Sequence, residues 1–436
     1  MGSVLVPYTE VQQAFSDNPD AVQNAVYQSA AAAAGGDPSE RAKLIAQWHE
    51  AVAALEDAEN NQGAGVLATP QNALASRLQT MLASNASAEG KTQLLEARQT
   101  VSTAAGISEA VETVQVKFDN NDLIGWLGTG LRILFHTDPH PWIAPPEQPE
   151  AIPDDARIAV FGDWGTGMYG APVIKDTIVN KLTRCDVVLH LGDTYYSGAD
   201  DEIERRLVGD WPLRAGNTIN RALNGNHEMY SGGLGYFRAL ANFFKQPASC
   251  FAMQNTNWLL VGLDTSYNDF DLAPDQVAWL KRIIATAGPQ RKVMLFSHHQ
   301  PFSQLDDQGP KLQVALADLL EQQRITVWFW GHEHRLVVYE PHSRWGVKGR
   351  CVGHGGFPSF RDTSIGAGGD IYKWIHMPAD LHAPEALVLD GPNFWVTKAP
   401  MQYSPNGYLF LELDGRSAWE TYRTPDNIAV SERWPL

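Results

Sequence analysis

The sequence predicts an α/β fold preceded by a separate α-helical region. Three observations carry this reading. Residues up to about 118 show helix-start signals and helical periodicity, a proline-dense strap follows, and from about residue 154 short apolar β-rich runs alternate with helical stretches. The expected organisation is a helical N-terminal domain over 1–118, a docking segment and Pro-rich linker over 119–153, and a larger α/β domain over 154–436.

In the N-terminal region, Asp37 reads as an N-cap, with Pro38 at the first helical position and Glu40 three residues after the cap. Leu44, Ile45, Trp48, Val52 and Leu55 follow with helical spacing. This region carries no metal, phosphate or nucleophile pattern, so it reads as a helical bundle that covers, docks or recruits, with no partner identified by its residues. The apolar stretch Leu123–Phe135 is too short to cross a bilayer and contains an arginine, so it reads as a docking segment. The strap His136–Ala156 is too rich in proline for a helix or a central strand. Its two histidines, His136 and His140, are expected at the surface. Beyond it, "RIAVFGD", "DVVLHLGD", "RALNGN", "NWLLVGLD", "KVMLFSHH" and "ITVWFWGHEH" read as strands. The closing "GYLFLELDGRSAWETYRT" reads as a hairpin turning at Asp414-Gly415, which suggests that antiparallel strands complete a second sheet.

Composition excludes several function classes. The 436 residues carry a net charge of −17, which argues against gripping nucleic acid or anionic lipid by bulk electrostatics. The acidity is concentrated in residues 1–150, with 7 basic and 18 acidic residues (net −11), against 26 and 32 (net −6) in the remainder. That pattern fits solvated helix faces. Three widely spaced cysteines, Cys185, Cys250 and Cys351, form no disulfide framework and no zinc-finger spacing. The first residues lack a basic region followed by an apolar one, and a cytoplasmic location is the expectation.

The chemistry lies in what closes the strands. They end at Gly162-Asp163, Gly192-Asp193, Gly225-Asn226-His227-Glu228, Ser297-His298-His299 and Gly331-His332-Glu333-His334. In α/β sheets, sites form beyond the carboxyl ends of the strands, so these residues should converge. Two carboxylates, an amide oxygen and imidazoles, with no thiolate, suit iron, zinc, manganese or nickel. There are too many ligands for one tetrahedral ion. A pair of ions sharing a carboxylate could clamp the attacking and leaving oxygens of a phosphoryl displacement.

The ordered set "GDWG" (162–165), "GDTYY" (192–196), "GNHE" (225–228), "SHHQP" (297–301) and "GHEH" (331–334) resembles the calcineurin-like metallophosphoesterase superfamily, in its purple acid phosphatase-like branch. The resemblance covers roughly residues 157–355 and the closing hairpin. It implies a four-layer α/β/β/α metallophosphoesterase sandwich, and it makes 154–436 the catalytic domain. Most of the superfamily has a histidine where this chain has Gly165; the purple acid phosphatases share that gap and supply a tyrosine instead, which by matching position is Tyr196. The resemblance implies that Asp163, Asp193, Tyr196 and His334 bind Fe(III), whose tyrosinate band would colour the protein. It further implies that Asp193, Asn226, His298 and His332 bind a divalent Fe, Zn or Mn ion, with Asp193 bridging. His227 would assist the leaving group while a metal-bound hydroxide attacks phosphorus. Glu228 would orient His227.

His298 is favoured over its neighbour His299 as ligand, His299 then facing the core or the substrate. His354 in a glycine-rich loop is a possible substrate contact, as are Arg361 and Lys373 in the insertion between Gly355 and about Met401. The expected activity is hydrolysis of a small phosphate monoester. A phosphodiesterase or nucleotide phosphohydrolase on the same site is the first alternative, and a metal-binding scaffold without turnover is the second.

Overall fold

A computed structural model of the chain describes residues 139–436, except 269, 307 and 398, together with scattered residues between 26 and 49. The chain divides into two compact units, Met1–Asp138 with Tyr230–Gly232, and Pro139–Met229 with Gly233–Leu436. In the first unit the described residues 41–46 are helical, and Asp37 caps that turn by accepting the Ser39 N–H at 2.8 Å. Val52, Leu55, His136 and the segment Leu123–Phe135 lie outside the described residues. No described helix is long and apolar enough to cross a membrane.

The second unit is built on two mixed sheets. In the six-stranded sheet, Arg157–Phe161, Val187–His190 and Ile219–Ala222 run parallel. The hairpin of Tyr408–Asp414 and Ser417–Arg423 pairs antiparallel to the first of these, so it extends the sheet that holds the first motif strands. Asp414 pairs with Ser417, so the two-residue turn is Gly415-Arg416 rather than Asp414-Gly415, with Gly415 at φ 56°. In the nine-stranded sheet, Trp258–Gly262, Lys292–Phe296, Val327–Trp330 and Lys348–Val352 form a parallel centre. Residues 139–153, read from sequence as linker, belong to this unit. Glu150–Ala151 adds a two-residue strand to the edge of the larger sheet, in keeping with a proline-rich strap.

Strand alternation generates the layers. Ile158, Val160, Val187 and Leu189 meet Met294, Phe296, Val327 and Phe329 between the sheets. Their neighbours Ala159, Phe161 and Val188 face outward and pack under helical segments through Ile174, Ile203, Leu207 and Phe237. On the far side, Trp328 and Trp330 face outward from the larger sheet and share a core with Trp279, Leu280, Ile283 and Ile284. These last four lie on helix Pro274–Ala287 at the i, i+1, i+4, i+5 spacing of one buried stripe. The result is the expected helix–sheet–sheet–helix stack. All three cysteines are buried and free.

The inter-sheet layer holds one charged pair. Arg350 shares its strand face with Val352, and Glu420 shares its face with Ala418 and Tyr422. Arg350 Nε donates to both Glu420 oxygens at 2.9 Å, and its Nη1 donates to the Tyr339 and Gly349 carbonyls. Tyr422 donates to Glu420 Oε2 at 3.0 Å. Removing one partner strands a buried charge, whereas removing both for apolar groups need not destabilise. Glu420→Gln is therefore expected to lower stability in urea unfolding by about 3–5 kcal/mol. Arg350→Met combined with Glu420→Leu should recover most of that loss.

Candidate metal centre

The five sequence-predicted strand ends do converge. Strand Arg157–Phe161 delivers Asp163, Val187–His190 delivers Asp193, and the turn after Ile219–Ala222 delivers Asn226 and His227. The larger sheet contributes His298 beyond Lys292–Phe296, and His332 and His334 beyond Val327–Trp330. Thus the carboxyl ends of parallel strands from both sheets meet at one end of the sandwich.

Close backbone approach makes the convergence possible. Gly192 sits at φ 103°, and a Cβ there would come within 2.6 Å of Gly225 N and 2.8 Å of His298 Nδ1. A Cβ at Gly165 would come within 2.6 Å of Thr194 Cα, so no side chain fits where the superfamily's usual histidine would stand. Asp163, Asp193, His332 and His334 all have φ between 52° and 76°. Left-handed backbone is uncommon for non-glycine residues, though Asp and His tolerate it better than most.

Two clusters of donor atoms share one carboxylate. In the first, the Tyr195 hydroxyl donates to Asp163 Oδ1 at 3.0 Å, and lies 3.3 Å from Asp193 Oδ2 and 2.9 Å from His334 Nε2. In the second, His298 Nε2 lies 3.1 Å from Asn226 Oδ1, 3.2 Å from His332 Nδ1 and 3.4 Å from Asp193 Oδ2. His298 donates through Nδ1 to the Leu191 carbonyl at 2.9 Å, which turns Nε2 toward the cluster. His227 borders both: its N–H donates to Asp193 Oδ1 at 3.1 Å and its Nε2 lies 3.5 Å from Asp193 Oδ2.

These donors fit cations. Asp163 and Asp193 are fully buried, and among the described residues their ion pairs are all with histidines rather than lysine or arginine. Burial opposes a charged His298, yet Asp193 beside it pushes its pKa up to about 9, so the buried carboxylate favours a positive charge beside it. Burial, then the charge of His298, lowers His332 to about 4. Burial and then the charges of Asp163 and Asp193 hold the Tyr195 phenol well above its ordinary value. A phenolate at this position therefore needs a strong cation beside it.

The tyrosine register is corrected. Tyr195, not Tyr196, brings its hydroxyl to the cluster. The backbone accounts for it. The Tyr196 and Ser197 N–H groups donate to the buried Glu202 carboxylate at 2.7 and 3.0 Å. Arg206 takes the Tyr195 carbonyl, and His227 Nδ1 takes that of Tyr196. With Tyr195 N–H donating to Gly165 O at 3.0 Å, the loop is pinned on all sides and Tyr195 faces Asp163. Glu202 offers no signal in sequence beyond being an acidic residue in a helix start.

Other expectations shift as well. The strand stops at Phe296, so His298 and His299 need not alternate, and their rings lie 4.8 Å apart on the same side. Donor atoms of His298, His299 and His332 lie within 4.8 Å of one another, but His299 Nδ1 is engaged with Thr265 Oγ1 at 3.0 Å. Glu228 does not orient His227. Its Oε2 accepts the Asp193 and Gly225 N–H groups at 3.1 and 2.6 Å, tying two ligand loops together, and burial pushes its pKa up to about 7. His354 is only 1% exposed, with its carbonyl taken by Gly407 N–H, so it lies in the wall and does not reach a substrate. Arg361 is not available to phosphate: it forms a two-point pair with Asp390 at 2.7 Å, beside which Lys373 lies at 3.8 Å. His140 stacks on Phe237 at 4.1 Å, away from both clusters.

Sequence reasoning did not find Phe357, whose buried ring packs on Tyr195 at 4.6 Å and His334 at 4.2 Å. Nor did it find Glu333, which fixes the loop between two histidines by accepting from Trp330 Nε1 at 2.7 Å and Ser303 Oγ at 2.8 Å.

A two-sheet sandwich thus collects carboxylate, phenol, amide and imidazole donors at its strand ends. Residues 156–336 match the model of the calcineurin-like phosphoesterases. A search of curated protein sequences gives no match. Among solved structures, the purple acid phosphatase PPD1 from yellow lupin (Lupinus luteus) seeds is similar at TM-score 0.48 and 16% identity, over 66% of this chain and 54% of that one. The chain thus spans about half the length of the lupin protein. A dimetal phosphatase from Danio rerio is similar at TM-score 0.39 and 12% identity, over 64% of this chain and 98% of that one. GAP50, the anchor in the inner membrane complex of Plasmodium, is similar at 0.45 and 13%, over 65% and 88%.

The two tyrosines give a direct test. Tyr195→Phe is expected to lower ferric-ion affinity by tenfold or more, on the order of a lost ligand contact, and to remove any tyrosinate absorption of iron-loaded protein. Tyr196→Phe should leave both unchanged. The readouts are metal titration and the visible spectrum.

Proposed function

We propose that residues 154–436 form a dinuclear metal-dependent phosphohydrolase acting on small phosphate monoesters. The observation that carries the reading is the sharing of Asp193 Oδ2 between an oxygen-rich cluster and an imidazole-rich cluster. Asp163, Asp193, Tyr195 and His334 would hold one ion, the phenol and carboxylates suiting Fe(III). Asp193, Asn226, His298 and His332 would hold a divalent Fe, Zn or Mn ion. When bound, the pair would supply Lewis-acid polarisation of the phosphoryl group and activation of water.

The chain's own residues do the rest. Asp193 keeps both clusters in register, and its backbone is in turn fixed through Glu228. His227 is held through Nδ1 on the Tyr196 carbonyl, which leaves Nε2 facing the shared carboxylate. When protonated on both nitrogens, a form that burial opposes, it could give the Nε2 proton to the ester oxygen as water adds to phosphorus, the P–O bond breaks and the alcohol departs. His332 and His334 are only half-buried, which opens the site to solvent on that side.

Hydrolysis should disappear on chelation and return with added metal. Asp193→Asn is expected to lower kcat by about a thousandfold or more, and His227→Ala by roughly a hundredfold. Rates on matched aryl mono- and diesters test the substrate class. A diester preference would replace the monoesterase reading, and full metal loading without turnover of either would overturn it.

A further inference from the structure

We propose that Phe270 is a stacking platform that selects phosphate esters whose leaving group is a planar aromatic ring. The inference rests on the phosphohydrolase reading above and names the substrate class for that site. Phe270 is 41% exposed, yet its ring is fixed against the centre: 4.1 Å from the His299 ring and 5.6 Å from that of His332. His332 Nδ1 belongs to the imidazole-rich cluster, so the exposed phenyl lies directly beside one of the residues that would hold the divalent ion. The aromatic on the other side, Phe357, is 1% exposed and can only support the site from behind. Phe270 can meet a ligand.

The backbone supports the assignment. Phe270 has φ 61°, a region that bulky residues rarely adopt. Such residues persist where the surroundings hold them, and they gather at ligand clamps. Its loop joins strand Trp258–Gly262 to helix Pro274–Ala287 and is pinned at both ends. At one end Asp264 Oδ1 accepts the Ser266 and Tyr267 N–H groups at 3.0 and 2.9 Å. At the other, Leu272 is buried in the core of the larger sheet. A large apolar ring therefore sits in the open beside the half-buried His332. An aryl group placed there gains an offset or edge-to-face partner, while an alkyl group gains none.

The test uses the full chain loaded with divalent metal. Phenylphosphonate and methylphosphonate affinities are measured for wild type, Phe270→Ala, Phe270→Leu and Phe270→Tyr, with turnover of an aryl and an alkyl monoester in parallel. Wild type should prefer phenylphosphonate. Phe270→Ala and Phe270→Leu should each weaken it about three- to tenfold and leave methylphosphonate unchanged. Phe270→Tyr should keep the preference. Phe270→Leu retains bulk, so the proposal is still tested if the alanine variant folds poorly. Equal losses for both phosphonates, or none, would overturn the proposal while leaving the phosphohydrolase reading intact. Failure of wild type to bind either phosphonate or turn over either ester would overturn both.

Discussion

The carboxylate of Asp193 sits fully buried at the floor of the site, with Oδ2 within 3.3–3.5 Å of Tyr195, His298 and His227 and Oδ1 held by the His227 N–H. A negative charge removed from water must be compensated by partners, and much of the local architecture serves that requirement. Glycines at 192 and 225 let two strand ends approach it. Imidazoles from the other sheet close the opposite side. Glu228, itself buried, spends one oxygen on the N–H groups of Asp193 and Gly225, so the shared carboxylate and the asparagine loop move as one piece.

The layered fold makes this possible because each sheet supplies only part of the donor set. The smaller sheet brings the carboxylates, the phenol and the amide; the larger brings the imidazoles that end its parallel strands. Relative placement of the sheets therefore matters to the centre. It is set by the apolar layer between them and by Arg350 and Glu420, one from each sheet, paired within that layer. A pair of this kind contributes little net stability against an apolar substitute.

Much of this was legible in the sequence because strand period and strand-ending residues are local signals. Apolar runs closing in Gly-Asp, Gly-Asn-His and Gly-His-x-His predicted both the sheets and the convergence, and the structure brings Asp163, Asp193, Asn226, His227, His298, His332 and His334 together. What stayed hidden depends on hydrogen bonds between distant segments. The family resemblance points to Tyr196; the clamp of Glu202, Arg206 and His227 on that loop brings the Tyr195 hydroxyl to the cluster. The choice between the adjacent His298 and His299 depends on whether the strand continues, and it stops at Phe296. Arg361 reads as a possible phosphate contact because nothing local shows that Asp390, at the end of strand Ala386–Asp390, takes its Nε and Nη2 while the Gly369 and Met401 carbonyls take its Nη1. Phe270 carries no signal in sequence, since its significance is its place beside the His299 and His332 rings.

The left-handed backbone at Asp163, Asp193, His332 and His334 bears on how this centre can change over generations. Valine, isoleucine and threonine fit such conformations poorly, so the easiest single replacements at these positions are asparagine, glycine or each other's kind. The loops would keep their course through such replacements even as the donors vanished. A lineage that gave up catalysis could thus retain the outline of the site, with amides where the carboxylates stood, long after the chemistry had gone.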